Sequence, residues 1–143
     1  MSEPHDRSSR PYGAGRNTPQ RRLVVEVASA WTGAFTVEDL AGAVRERDRA
    51  ASVATVYRAV SALLVSGWLE RVGERSGSAL FARCHAGSHH HHHVVCDRCG
   101  RVAEAECPVA ADLSTGAAKG FVITRHEVTL YGLCPTCVAE KAV

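Results

Sequence analysis

The chain has 143 residues, 45% of them apolar, with 17 Lys/Arg against 15 Asp/Glu for a formal net charge of +2. That length fits one large domain or two small ones, with enough apolar residues to bury a core. No apolar run reaches the ~18 residues that span a bilayer, and no apolar stretch follows the charges of MSEPHDRSSRPYGAGRN as in a secretory leader, so a cytoplasmic protein is expected.

Residues 1–17 read as a flexible basic arm. Residues 1–83 carry twelve Arg and nine Asp/Glu, a net of +3, whereas residues 84–143 carry five Lys/Arg and six Asp/Glu. A basic arm ahead of a helical half suggests contact with phosphates.

Residues 18–83 predict three helices and a hairpin. Thr18-Pro19 starts the first, with Thr as N-cap and Pro at the first helical position. Leu23, Val24, Val27, Ala28 and Trp31 form its apolar stripe, and Gly33 stops it. Thr36-x-x-Asp39 resembles a capping box opening the second helix, whose inner face is Val37, Leu40, Ala41 and Val44.

The third helix runs from Ser52 to Gly67. Val53, Val56, Val60, Leu63 and Leu64 are expected inside, and Ala54, Thr55, Tyr57, Arg58 and Ser61 outside. Trp68–Val72 and Ser78–Ala82 flank Gly73–Gly77 as a β-hairpin. Three helices and a hairpin describe a winged helix-turn-helix. On a helix entering the major groove, Thr55, Tyr57 and Arg58 can reach phosphates and base edges.

Residues 84–88 read as a hinge and residues 89–143 as a second, metal-binding domain. Cys96-Asp-Arg-Cys99 and Cys134-Pro-Thr-Cys137 each place two thiolates on a tight turn. Two such turns can close a tetrahedral four-sulfur shell around one structural Zn2+. In an intracellular chain, metal binding is the better reading of Cys-x-x-Cys pairs than disulfides.

The run His89–His93 leads into Val94-Val95-Cys96. On a strand its side chains alternate, so His91 and His93 face one way and His90 and His92 the other. One segment can then supply two ligand pairs. Glu70, Cys84, His91 and His93 form the expected regulatory set, bridging the two halves. His90, His92, His126 and a carboxylate near Asp112 form a second. Cys107, beside Pro108, reads as a buried thiol.

These residues resemble the ferric uptake regulator (Fur) family. The matching pieces are Thr18-Pro-Gln-Arg21, Ala54-Thr-Val-Tyr-Arg58, His89–His93 with Val-Val-Cys96-x-x-Cys99-Gly100, and Leu130-Tyr-Gly-Leu-Cys134-x-x-Cys137. They occur in family order over most of the chain. The resemblance implies an α+β chain: an N-terminal winged helix-turn-helix, a hinge and a small α/β dimerisation domain with the four-cysteine zinc site. It also implies a homodimer that represses transcription from double-stranded operator DNA, an inverted repeat, when loaded with a divalent metal. By the same resemblance Tyr57 and Arg58 fall at DNA-contacting positions and Arg16 at a basic position that approaches the minor groove; Arg21 completes the expected DNA-binding residues.

Iron- and peroxide-sensing members carry a His where Ala34 and Phe35 stand here, and a hinge Cys is typical of the zinc uptake regulator branch. A Glu/Cys/His/His set suits tetrahedral zinc better than octahedral iron or manganese. The expected function is therefore a zinc-responsive repressor. The alternatives are a family sensor of iron, nickel, manganese or peroxide, or a zinc-buffering module without DNA binding. No catalysis, small-molecule substrate or membrane partner is expected, because four protein ligands leave a metal no open position.

Overall fold

The computed structural model describes residues 10–83, 91–107 and 116–141. The hinge residues 84–88, with Cys84, lie outside them, as do His89, His90 and Asp112.

Helix α1 (Pro19–Ala30) begins as expected: the Thr18 side chain accepts from the Arg21 amide, with Pro at the first turn. Helix α2 (Val37–Arg47) opens on a complete capping box. The Thr36 hydroxyl accepts from the Asp39 N–H at 3.1 Å, and the Asp39 carboxylate accepts from the Thr36 N–H at 2.9 Å. Helix α3 (Val53–Val65) is capped by Ser52, whose side chain accepts from Thr55 N–H. All three follow from side chains that satisfy the first turn's orphan amides.

The three helices pack around Val24, Leu40, Val44, Val56, Val60 and Leu63. Leu40 and Leu63 are fully buried, and each such side chain contributes about 2 kcal/mol of hydrophobic stabilisation. The expected inner face holds with one correction. Val53 is 40% exposed, because the first residue of α3 lies ahead of the turn that meets α1 and α2. The segment before α1 joins this core: Tyr12 is buried, and its hydroxyl donates to the Arg21 carbonyl at 2.8 Å.

The wing is an antiparallel pair, β1 (Leu69–Arg75) and β2 (Ser78–Arg83). Its strands are longer and its turn tighter than the expected five-residue loop. Ser76 and Gly77 turn the chain with φ of 51° and 81°, both left-handed as a two-residue turn of the type I′ class requires. A register irregularity between Arg71 and Gly73 bends β1.

The second unit has a three-stranded sheet in the order β4-β3-β5, from β3 (His92–Cys96), β4 (Val102–Ala105) and β5 (Thr129–Gly132). Strand β4 runs antiparallel to β3, and β5 parallel to it. A 3₁₀ turn (Gly116–Ala118) and helix α4 (Pro135–Lys141) complete the described elements. The two units share a second apolar cluster of Ala34, Val72, Leu80, Ala82 and Val95, with Val102 against it. The wing is thus packed onto β3.

Candidate metal centres and nucleic-acid interface

The knuckle Cys96–Gly100 is folded by its own backbone. Gly100 N–H donates to the Cys96 carbonyl at 2.9 Å, and Gly100 takes a φ of 73° that favours glycine. The second knuckle opens α4, where Val138 N–H donates to the Cys134 carbonyl. Parallel pairing of Cys96 with Gly132 brings the two turns side by side.

The four sulfurs of Cys96, Cys99, Cys134 and Cys137 lie within 4.8 Å of one another. Cys99 Sγ and Cys134 Sγ are 3.7 Å apart, close to the ~3.8 Å edge of a tetrahedron with Zn–S bonds of ~2.3 Å. Hydrogen bonds from the Cys99 and Cys134 amides lower the Cys96 thiol to about 6, against its own burial. Burial and the neighbouring sulfurs push Cys137 up to about 12. Four thiolates this close repel one another, and a dication removes the conflict. The residues fit zinc.

Glu70 on β1 and His91 and His93 at the start of β3 form a second group. Glu70 Oε2 lies 3.0 Å from His91 Nε2 and 3.6 Å from His93 Nε2. The two rings meet edge to face at 5.0 Å. Burial lowers the pKa of His93, with Glu70 opposing it, so its ligating neutral form prevails at neutral pH. A cleft of about 660 Å³ opens beside them, lined also by Tyr131 and His126. Cys84, the fourth expected ligand, lies outside the described residues.

His92 points to the opposite side of β3, as strand alternation requires. It is 2% exposed and its ring stacks 5.1 Å from that of His126. His90 and Asp112 lie outside the described residues, and the third donor among those described is Cys107. The expectation of a buried thiol is corrected. Cys107 lies at the surface, with Sγ 3.1 Å from His126 Nε2. Sequence spacing could not show this, because the contact joins the segment leaving β4 to the segment entering β5, the two strands that flank β3. The only signal was a sixth cysteine left over from the paired motifs in a His-rich domain.

The outer face of α3 carries the expected polar set. Tyr57 is 46% exposed, and its hydroxyl donates to Glu38 on α2 at 2.5 Å. This hydrogen bond lowers the Glu38 pKa. Thr55 Oγ1 bonds Ser52 at 2.9 Å and receives Arg58 Nη2 at 3.5 Å. Arg16 is exposed. Arg21 is engaged locally: its guanidinium donates to the Arg16 carbonyl at 3.0 Å and lies 4.8 Å over the Tyr12 ring. It braces the loop that presents Arg16. Glu38, missed in the sequence, sits beside the basic face as an acidic partner for Tyr57.

Residues 13–131 match the model of the ferric uptake regulator family. The chain belongs to the ferric uptake regulator family. It is 35% identical over 130 residues to the zinc uptake regulation protein of Escherichia coli K12, covering 89% of this chain and 75% of that one. It is 36% identical over 124 residues to the transcriptional regulator FurA of Mycobacterium tuberculosis H37Rv, covering 85% and 82%. A solved zinc uptake regulator complexed with zinc and DNA superposes with a TM-score of 0.71 at 32% identity, over 96% of this chain and 91% of that one. The fold is that of a Fur-family regulator. Cys134 and Cys137 lie beyond the matched residues, so the four-cysteine cluster rests on its own geometry.

Proposed function

We propose that this Fur-family protein is a zinc-responsive transcriptional repressor, acting as a homodimer on an inverted-repeat operator in the cytoplasm. The observation that carries the reading is the position of the Glu70–His91–His93 group. Glu70 belongs to the wing and the histidines to the second unit, so an ion held by all three, with Cys84, ties the DNA-binding unit to the metal-binding one.

Bound zinc would supply a Lewis-acid bridge and no chemistry of its own; as transcription regulators, Fur-family proteins are not enzymes. Glu70, Cys84, His91 and His93 would hold the regulatory ion, and Cys96, Cys99, Cys134 and Cys137 the structural one. Held by these residues, a regulatory ion would favour the arrangement in which the α3 helices of two chains fit successive major grooves. Thr55, Tyr57, Arg58, Arg16 and Arg21 are the proposed DNA-binding residues. By linkage, DNA tightens zinc as much as zinc tightens DNA. Exposed Phe121, Val122, Leu130, Leu133 and Val138 on the second unit support self-association there. Relatives whose names specify zinc are among those the chain resembles, and its thiolate-containing donor sets favour zinc over manganese or iron.

The test is a DNA-binding titration against buffered free zinc, nickel, iron and manganese, with wild type and Cys84→Ser. Zinc should act at the lowest free concentration, and Cys84→Ser should keep the dimer and the four-thiolate zinc while losing zinc-dependent binding. A variant that still switches normally removes Cys84 from the sensing set.

A further inference from the structure

We propose that Tyr12 is a positioning residue for the DNA contact: together with Arg21 it clamps residues 10–17 against α1 and the end of α3, so that Arg16 meets a duplex already in place. The inference rests on the DNA-binding reading above. It adds the part played by Arg21, which is to hold Arg16 rather than to reach a phosphate itself.

Tyr12 is 8% exposed and belongs to the same apolar cluster as Val24, Val60 and Leu63. Its hydroxyl donates to the Arg21 carbonyl at 2.8 Å. Burial pushes this phenol up to about 12, against the pull of the Arg21 charge, so the donor stays protonated at neutral pH. The chain around it is folded back on itself. Gly13 N–H donates to the Arg10 carbonyl and Gly15 N–H to the Tyr12 carbonyl, both at 2.9 Å. The Ser66 hydroxyl, at the end of α3, donates to the Pro11 carbonyl. One buried ring and one hydroxyl thus fasten a turn segment whose residues 13–17 are exposed.

The second fastening is made by α1. The Arg21 guanidinium lies 4.8 Å over the Tyr12 ring, a cation–π contact, and donates to the Arg16 carbonyl at 3.0 Å. Next to it, the Arg22 guanidinium donates to the Asn17 carbonyl at 2.8 Å. Two successive carbonyls are therefore held by two successive arginines, while the Arg16 residue is exposed. A segment ordered in advance avoids the entropy that a free arm loses on binding. Stacking on Tyr12 together with donation to the Arg16 carbonyl uses the planar fork of Arg21, which a lysine does not reproduce.

The test has two arms, each on the full zinc-loaded chain. Without DNA, limited trypsin digestion reads cleavage of the Arg16–Asn17 bond. It should be slow in wild type, faster by about fivefold or more in Tyr12→Ala and Arg21→Lys, and intermediate in Tyr12→Phe, which keeps the ring but not the hydroxyl. With DNA, fluorescence anisotropy uses a duplex that the wild type selects from a random-sequence pool. Tyr12→Ala and the charge-conserving Arg21→Lys should each weaken binding roughly three- to tenfold. In an Arg16→Ala background neither should weaken it much further, and zinc stoichiometry should not change. Tyr12→Phe and Arg21→Lys leave the apolar core filled, so the comparison stands even if Tyr12→Ala fails to fold. Equal cleavage in all these proteins, wild-type affinity in Arg21→Lys, or losses that simply add to that of Arg16→Ala overturn the proposal and leave the repressor reading intact. A wild type that selects no duplex overturns the repressor reading, and this proposal with it.

Discussion

The backbone N–H of Ala34 donates to the carbonyl oxygen of Gly100 across 2.8 Å, joining the turn before α2 to the first cysteine knuckle. The zinc-binding turn is therefore in direct backbone contact with the DNA-binding unit. Gly33 makes the approach possible: its φ is +85°, and an added Cβ would stand 2.5 Å from the Gly100 oxygen. Gly33→Ala should destabilise the protein by about 2 kcal/mol or more, from a left-handed non-glycine residue and a displaced knuckle. Urea unfolding measures the loss, and an unchanged midpoint would show that the knuckle yields freely.

Removing the structural ion should be felt across the same contact. Cys99→Ser should lower bound zinc by one equivalent per chain and loosen the turn holding Gly100. Hydrogen exchange should then quicken at the Ala34 amide as well as within β3. If exchange rises only in the second unit, the two do not communicate through this bond.

A second tie runs from the wing to β5, where Glu74 N–H donates to the Tyr131 hydroxyl at 2.8 Å. Tyr131→Phe removes the acceptor while keeping the ring. A loss of about 1 kcal/mol is expected, with faster exchange at the Glu74 amide and zinc stoichiometry unchanged.

Asp39 both caps α2 and holds the wing residue Arg75 at 2.7 Å. Burial raises its carboxyl pKa, but bonds from the Thr36 amide and hydroxyl and from Arg75 outweigh this and leave it lowered. A folded-state value below the unfolded one means stabilisation that is complete above the unfolded pKa of about 3.9. It is lost as pH falls through the folded value. Asp39→Ala should cost about 1 kcal/mol at neutral pH, most of it capping, since the ion pair is half exposed. The gap between wild type and variant should close below about pH 4 in pH-dependent denaturation.

On the α3 face, Arg58→Ala should weaken duplex binding and reduce the salt dependence by about one counterion if the contact is to phosphate. Metal stoichiometry should not move. Tyr57→Phe frees Glu38 from its hydrogen bond, and the bared carboxylate beside the basic face should lower affinity further than loss of one hydroxyl contact. Fluorescence anisotropy at several salt concentrations separates the two effects.

Much of this protein is determined by local pattern. Thr18-Pro19, Thr36-x-x-Asp39 and Ser52 set the helix starts because capping is settled within one turn of chain. The paired cysteines announce a four-sulfur site because each knuckle is a single turn. The His run divides into two faces because a strand alternates. What tertiary structure alone decided are contacts between residues with no sequence relationship: Ala34 with Gly100, Glu74 with Tyr131, and Cys107 with His126. These depend on how β4 and β5 flank β3 and on how the wing packs against Val95. Long-range packing brings such atoms together, and no local propensity encodes it.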